Sequence, residues 1–193
     1  ALGIAIGSPV DGQARGRLST VYFPGQKITM LPEPVIAAFT LGRGGDCPAL
    51  SLYAEVSADG TIVATASRCE SVPIAANLRH GELDEVFNAD ALAAGEIPHE
   101  YGVELKFLWQ FAARLQAARG KAAAEGDQRA EYNFSVAGDR VRIVERKRGA
   151  PVDKVVSELM IFVNSEWGRQ LAAAGFAAIY RAQSNGTARM TTV

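Results

Sequence analysis

The sequence is poor in the residues that most often build compact chemistry. It holds two cysteines and two histidines in 193 residues. Cys47 and Cys69 have no CxxC spacing and no second pair to join, so neither a disulfide framework nor a cysteine zinc site is indicated, and reduced, partly buried thiols are expected. His80 and His99 each lack a further His, Cys or carboxylate at ligand spacing. A GxSxG elbow, an HExxH helix and a Walker loop are missing, and so is a tight aspartate cluster that would hold two hard cations. Gly3, Gly7 and Gly12 do not have GxGxxG spacing, and Pro9 is expected to interrupt the helix such a loop would feed. Charge of one sign is lacking too. The formal net charge is −1, so any nucleic-acid contact must come from a local channel and not from a global field.

No run of about 18 apolar residues is present to cross a bilayer. With 48% hydrophobic and 21% charged residues the composition is that of a globular protein, expected to be soluble and cytoplasmic. The length suits one ordinary domain or a piece of one. It opens on Ala1-Leu-Gly-Ile-Ala-Ile-Gly7 without Met or a basic leader, and ends on Arg189-Met-Thr-Thr-Val193 without a stop signal. We read both ends as cuts, the first inside a strand. No internal repeat or domain boundary is visible.

The clearest pattern is a hairpin: Ala49–Val56 and Thr61–Ala66 alternate around Ala58-Asp-Gly60. A second pairs Tyr132–Val136 with Arg140–Glu145 through Ala137-Gly138-Asp139. Leu105, Leu108, Trp109, Ala112 and Leu115 recur at helical spacing within Tyr101–Arg119, which stops at Gly120. Val156, Leu159, Met160, Val163 and Trp167 predict a long, largely buried helix over Asp153–Ala174 with Asp153 as N-cap. Gly7–Gly12 reads as a turn cluster, Ala14–Tyr22 as a short helix leading into an extended segment, and Val35–Phe39 as the reach of a further helix. Lys121–Gln128 reads as a frayed helix end or loop, and Phe176–Tyr180 as a short strand.

Chemistry alone names no reaction, but an ordered series of motifs does more. It runs from Ser8-Pro-Val-Asp11 through Ala14-Arg-Gly-Arg-Leu-Ser-Thr-Val-Tyr22 and Phe23-Pro-Gly25 to Ile28-Thr-Met-Leu-Pro32. It continues with Phe39-Thr-Leu41, Ala49-Leu-Ser51 and Ala58-Asp-Gly60, then Val155-Val-Ser-Glu-Leu-Met-Ile161 with Asn164, and last Phe176–Gln183, where Gln183 stands in place of a His. In this order the motifs resemble the RNB-domain exoribonucleases, the ribonuclease II and ribonuclease R family, over nearly the whole chain. The resemblance implies an α+β fold, an RNB-type mixed, largely antiparallel sheet with packed helices. Residues 1–193 would be part of one RNB catalytic domain, truncated at both ends.

The resemblance further implies a processive 3′→5′ exoribonuclease that hydrolyses single-stranded RNA to nucleoside 5′-monophosphates with Mg²⁺. The family's magnesium-binding aspartates would lie upstream of Ala1 and its catalytic arginine downstream of Val193, so no catalytic residue or metal ligand is assigned within the chain. A non-catalytic RNB relative that binds RNA or a partner is the rival reading. Tyr22 matches a family aromatic that contacts RNA, where a base stacks on a ring for roughly 1–3 kcal/mol; a core tyrosine is its alternative. His80 falls where the family has an aromatic that stacks on the 3′-terminal nucleotide, and stacking and structural roles stay open, with Arg79 an equal candidate. Glu158 matches a helix glutamate that accepts a ribose 2′-hydroxyl, and its position on an apolar helix predicts that it faces a polar channel. Arg17 is a phosphate-contact candidate, whereas Arg15 suits a surface ion pair and Glu145–Arg148 a solvated strand end. Asn164 either orients the region of Glu158 or is a satisfied core amide, and the family's second base-clamping aromatic has no placed equivalent.

If the catalytic aspartates and arginine lie outside these residues, purified protein of residues 1–193 is expected to release no mononucleotides from a 3′-labelled RNA oligomer with divalent metal. Metal-dependent release would overturn that assignment.

Overall fold

The computed structural model describes residues 4–120, 130–147 and 149–180. Among them the order is α1 (Pro9–Arg17), β1 (Val21–Phe23), β2 (Gln26–Ile28), α2 (Glu33–Phe39), β3 (Asp46–Val56), β4 (Ile62–Pro73), α3 (His80–Val86), α4 (Ala89–Ala94), α5 (Gly102–Ala118), β5 (Ala130–Ala137), β6 (Arg140–Lys147) and α6 (Pro151–Ala173). The mixed α+β class expected from the sequence holds. Every described strand pairing is antiparallel, but the strands form three separate two-stranded hairpins and not one continuous sheet.

Pro9 does not break a helix; it opens one. It sits at the first position of α1, where a missing N–H costs nothing, and the Ser8 hydroxyl caps the turn by accepting the Asp11 N–H at 3.3 Å. The expected turn cluster is therefore mostly helix, and residues 4–7 carry no strand. Likewise α6 starts at Pro151 with Ala150 as its cap residue, so Asp153 lies in the first turn and is not the N-cap. Phe176–Tyr180 is not a strand, and the reading of Lys121–Gln128 falls on residues outside those described.

The β3–β4 hairpin is longer than its alternation suggested. Its register runs from Asp46 opposite Pro73 to Val56 opposite Ile62, and the polar stretch Ser67–Ser71 is held in the strand by its pairing with Pro48–Leu52. Two short helices were not expected. α3 and α4 carry too few apolar residues for a periodic signal, yet they supply or flank Leu83 and Phe87, and the Phe87 side chain is fully buried.

The core joins Leu83, Phe87, Ile97, Leu105, Ala112, Val152 and Val155, so it lies between α3, the α4–α5 connection, α5 and α6. Trp109 packs its ring edge-on to Phe87 with centroids 6.4 Å apart, and Lys154 of α6 sits 4.5 Å from the centre of the Trp109 ring. Gly102 has a steric reason: a Cβ there would lie 2.2 Å from the Ile97 carbonyl oxygen, too close for any side chain.

The buried stripe of α6 differs from the expected one. Val156 and Met160 are exposed, and the buried positions are Val152, Val155, Glu158 and Glu166. Near the helix end, Glu166 accepts the Thr65 hydroxyl of β4 at 2.8 Å and the Gln170 amide at 2.9 Å, and it is paired with Arg169. The Trp167 indole N–H donates to the Ser67 hydroxyl at 3.1 Å, so α6 is fastened to the hairpin by polar bonds. The Gln170 and Thr65 bonds, helped by Arg169, hold the Glu166 carboxyl below its ordinary value of 4.5.

A depressed folded-state value stabilises the fold above pH 4.5 and is lost as pH falls through that lower value. Unfolding by urea followed across pH 3–7 should therefore show a shallower acid-side loss of stability in Glu166→Gln than in the unchanged protein. Identical slopes would show that the latch does not couple to folding.

Candidate nucleic-acid interface

The sequence-derived candidates fall into two pairs, each held by a different part of the fold. Arg17 ends α1, and its Nη1 donates to the Thr29 carbonyl at 2.5 Å, tying the helix to the segment after β2. Leu18 then turns the chain in a left-handed conformation, φ 61°. That turn leads into β1, where Tyr22 faces Lys27 across the hairpin and is 77% exposed. In this chain Tyr22 is thus a surface aromatic beside a cation, not a core residue. Arg15 makes the surface ion pair expected of it, 2.8 Å from Asp11. The Gly7 N–H, with Arg15, keeps the Asp11 carboxyl below its usual range.

His80 contacts α6, and Glu158 is part of it. His80 is the first residue of α3, and its Nδ1 lies 3.4 Å from Asp153 Oδ1 in the first turn of α6. Glu158, expected to face a polar channel, has a side chain that is only 6% exposed. Arg119, the C-cap residue of α5, compensates it: one guanidinium nitrogen, Nη2, donates to Oε1 at 2.5 Å and to Oε2 at 2.6 Å. The cost of burying the carboxylate is offset by a cation that is itself 32% exposed at the helix end. Sequence reasoning weighed the charge on α6 but missed its partner. Nothing in the local sequence marks Arg119, since a cation at a helix C-terminus is a common placement that the backbone dipole favours. Asn164 is exposed and is not a core amide.

The β5–β6 hairpin adds residues that the sequence did not place. Phe134 is opposite Ile143 and Val136 opposite Val141, so Tyr132, Phe134, Val136, Val141 and Ile143 share one face by strand alternation, and all are exposed. Arg140, Arg142 and Asn133 lie on the other face. A Cβ on Gly25, at the β1–β2 turn, would be 3.5 Å from Val136, which brings the Tyr22 hairpin against this second one. The visible signal was the two-residue spacing of Tyr132 and Phe134; what hid it was the lack of an expected motif before them.

No group of three or more His, Cys, Asp or Glu residues that could hold a metal ion occurs among the described residues. They do not by themselves fit the magnesium implied by the resemblance, and no chemical step is derived through one. No helix among the described residues is long and apolar enough to cross a membrane.

The RNB domain model matches residues 3–192. The acetazolamide conferring resistance protein Zam of Synechocystis sp. is 23% identical over 180 residues, which is 93% of this chain and 23% of that protein. Mycoplasma genitalium RNase R, solved in complex with double-stranded RNA, superposes with a TM-score of 0.71 at 18% identity, over 92% of this chain and 32% of that one. An active-site mutant of the Dss1 exoribonuclease from Candida glabrata gives 0.67 at 19% identity, over 90% and 24%. The chain thus spans between 23% and 32% of the length of these proteins. At such identities the structural likeness is one of fold.

Removal of Arg119 would leave the Glu158 charge buried. Arg119→Ala is expected to destabilise the protein by about 2–3 kcal/mol, somewhat below the cost for a fully buried pair because the arginine is partly exposed. Replacing both residues, Arg119→Ala with Glu158→Leu, should recover most of the loss in urea denaturation; equal losses in the single and double variants would show that the ion pair is not the cause.

Proposed function

Because the chain belongs to the RNB-domain family, we propose that it is the RNA-path and core portion of one RNB catalytic domain within a longer 3′→5′ exoribonuclease. The family match over residues 3–192 carries the reading. The substrate is single-stranded RNA, degraded processively to nucleoside 5′-monophosphates, and the divalent metal and the groups that act with it are supplied by residues outside the chain. An unpaired strand suits the exposed aromatics. Tyr22, and with it Phe134 and Tyr132 of β5, offer ring faces on which bases can stack without regard to sequence. Lys27, opposite Tyr22, supplies positive charge beside that ring. Arg17 braces the end of α1 through Thr29 and brings a further cation to the same hairpin for the phosphates. His80, at the start of α3, presents a flat ring to the terminal nucleotide, and Glu158 accepts a ribose 2′-hydroxyl approached past Arg119.

The reading is tested with the full-length natural protein on 5′-labelled single-stranded RNA. Stepwise shortening from the 3′ end with release of nucleoside 5′-monophosphates is expected. RNA binding with no cleavage in divalent metal would favour the non-catalytic alternative.

Tyr22→Ala removes one stacking platform worth about 1–3 kcal/mol, so cleavage should continue but stop at a longer limit product on a sequencing gel. An unchanged end-product length would take Tyr22 out of the RNA path.

A further inference from the structure

Phe107, Gln110, Phe111 and Arg114 follow one another at helical spacing on α5 and line one side of a cavity of about 670 Å³, whose other side is the β3–β4 turn around Gly60. Phe107 gives it a flat wall. Its ring lies 7° from parallel with that of Phe111, centroids 6.2 Å apart, and Phe111 is buried and meets Phe162 of α6 edge-on at 6.1 Å. The Phe107 ring is thus backed by the core, yet the residue is 48% exposed. Arg114 stands about 10 Å further along the helix axis and is also exposed. Its side chain rests on Gly60, where a Cβ would come within 2.6 Å of Nε. Among the described residues Arg114 makes no hydrogen bond or ion pair. Asp59, the acid beside Gly60, accepts instead from the Ser57 and Thr61 hydroxyls, the latter at 2.9 Å. The Gln110 amide, between ring and cation, is exposed and likewise unpaired among the described residues.

We propose that this cavity binds a free nucleoside 5′-monophosphate, with the base stacked on Phe107, the phosphate held by Arg114 and the Gln110 amide between them. A base stacks on a ring whose plane is fixed and whose outer face is open, as that of Phe107 is. A guanidinium presents a planar fork of donors that matches phosphate oxygens, and here no carboxylate occupies it. The amide offers a donor and an acceptor to a base edge or a ribose hydroxyl. Size agrees, since small-molecule sites enclose roughly 300–1,000 Å³. An uncharged ring would leave Arg114 unmatched, and a bare phosphate would leave the aromatic wall wet. The route in is open, because Phe107, Gln110 and Arg114 all stand at the surface. The cavity shares no residue with the proposed path of the RNA strand, so it is a second nucleotide site, filled by a mononucleotide from solution.

Isothermal titration calorimetry of AMP, adenosine and ribose 5-phosphate into the full-length natural protein, in EDTA, tests the site with the variants Phe107→Leu, Arg114→Gln and Tyr22→Ala. The Kd for AMP should rise about tenfold in Phe107→Leu and in Arg114→Gln, the scale of one stacked base or one hydrogen bond to a charged group, and stay unchanged in Tyr22→Ala. Adenosine should bind more weakly than AMP and be indifferent to Arg114→Gln, and ribose 5-phosphate should be indifferent to Phe107→Leu. Leucine keeps an apolar contact with Phe111, so the unfolding temperature should hold; if it falls, Phe107→Met is read in its place. No AMP binding at millimolar concentration, or a Kd unchanged in both cavity variants, would overturn the proposal. So would a loss confined to Tyr22→Ala, which would put the mononucleotide in the RNA path.

Discussion

Two buried carboxylates on one helix determine how the helical part of this protein is assembled. Glu158 and Glu166 occupy the inward stripe of α6 together with Val152 and Val155. Neither acid would be tolerated there without donors, since a desolvated charge costs several kcal/mol. Each is therefore met by a different element: Glu158 by Arg119 at the end of α5, and Glu166 by Thr65 of β4 with Arg169 and Gln170 of its own helix. Apolar packing brings α3, α5 and α6 together around Phe87 and Leu105, but it is non-directional. The polar bonds supply direction, fixing the place of α6 against the end of α5 at one point and against the β3–β4 hairpin at another.

That division of labour separates a rigid centre from exposed ribbons. The core is helical, while the short β1–β2 hairpin and the β5–β6 hairpin show aromatic and aliphatic side chains at the surface. A two-stranded ribbon has little independent stability, so its exposed apolar face is a place for contact. Tyr22 on one ribbon and Phe134 on the other belong to hairpins that touch near Gly25 and Val136. For a protein proposed to pass an RNA strand, aromatic faces on ribbons beside a fixed centre provide a gripping surface that is indifferent to base identity.

Much of this was legible in the sequence, and the remainder was hidden for identifiable reasons. Long periodic elements declared themselves: α5, α6 and both longer hairpins follow from spacing, and the ordered motifs pointed to the family that matches residues 3–192. α3 and α4 stayed hidden because helices of seven and six residues carry too little periodicity. Pro9 was read as a break and the start of α6 was placed at Asp153, although proline is at home in the first turn of a helix, as Pro9 and Pro151 both are. The inward face of α6 was misjudged because hydrophobicity assigned Met160 to the core and could not assign two glutamates there. For the candidate site, Tyr22, Arg17, His80 and Glu158 came from motif matching. Arg119 could not, because its importance lies in a contact between positions 39 residues apart that no local pattern records.

In the proposed function these residues line the path of an RNA strand toward its 3′ end. Photo-crosslinking measures this directly: the full-length natural protein is irradiated with single-stranded RNA that carries 4-thiouridine at its last positions, and the adducts are mapped by mass spectrometry. Adducts are expected on the hairpin that contains Tyr22, on β5 near Phe134 and near the start of α3. Efficient crosslinking confined to peptides outside residues 1–193 would contradict it.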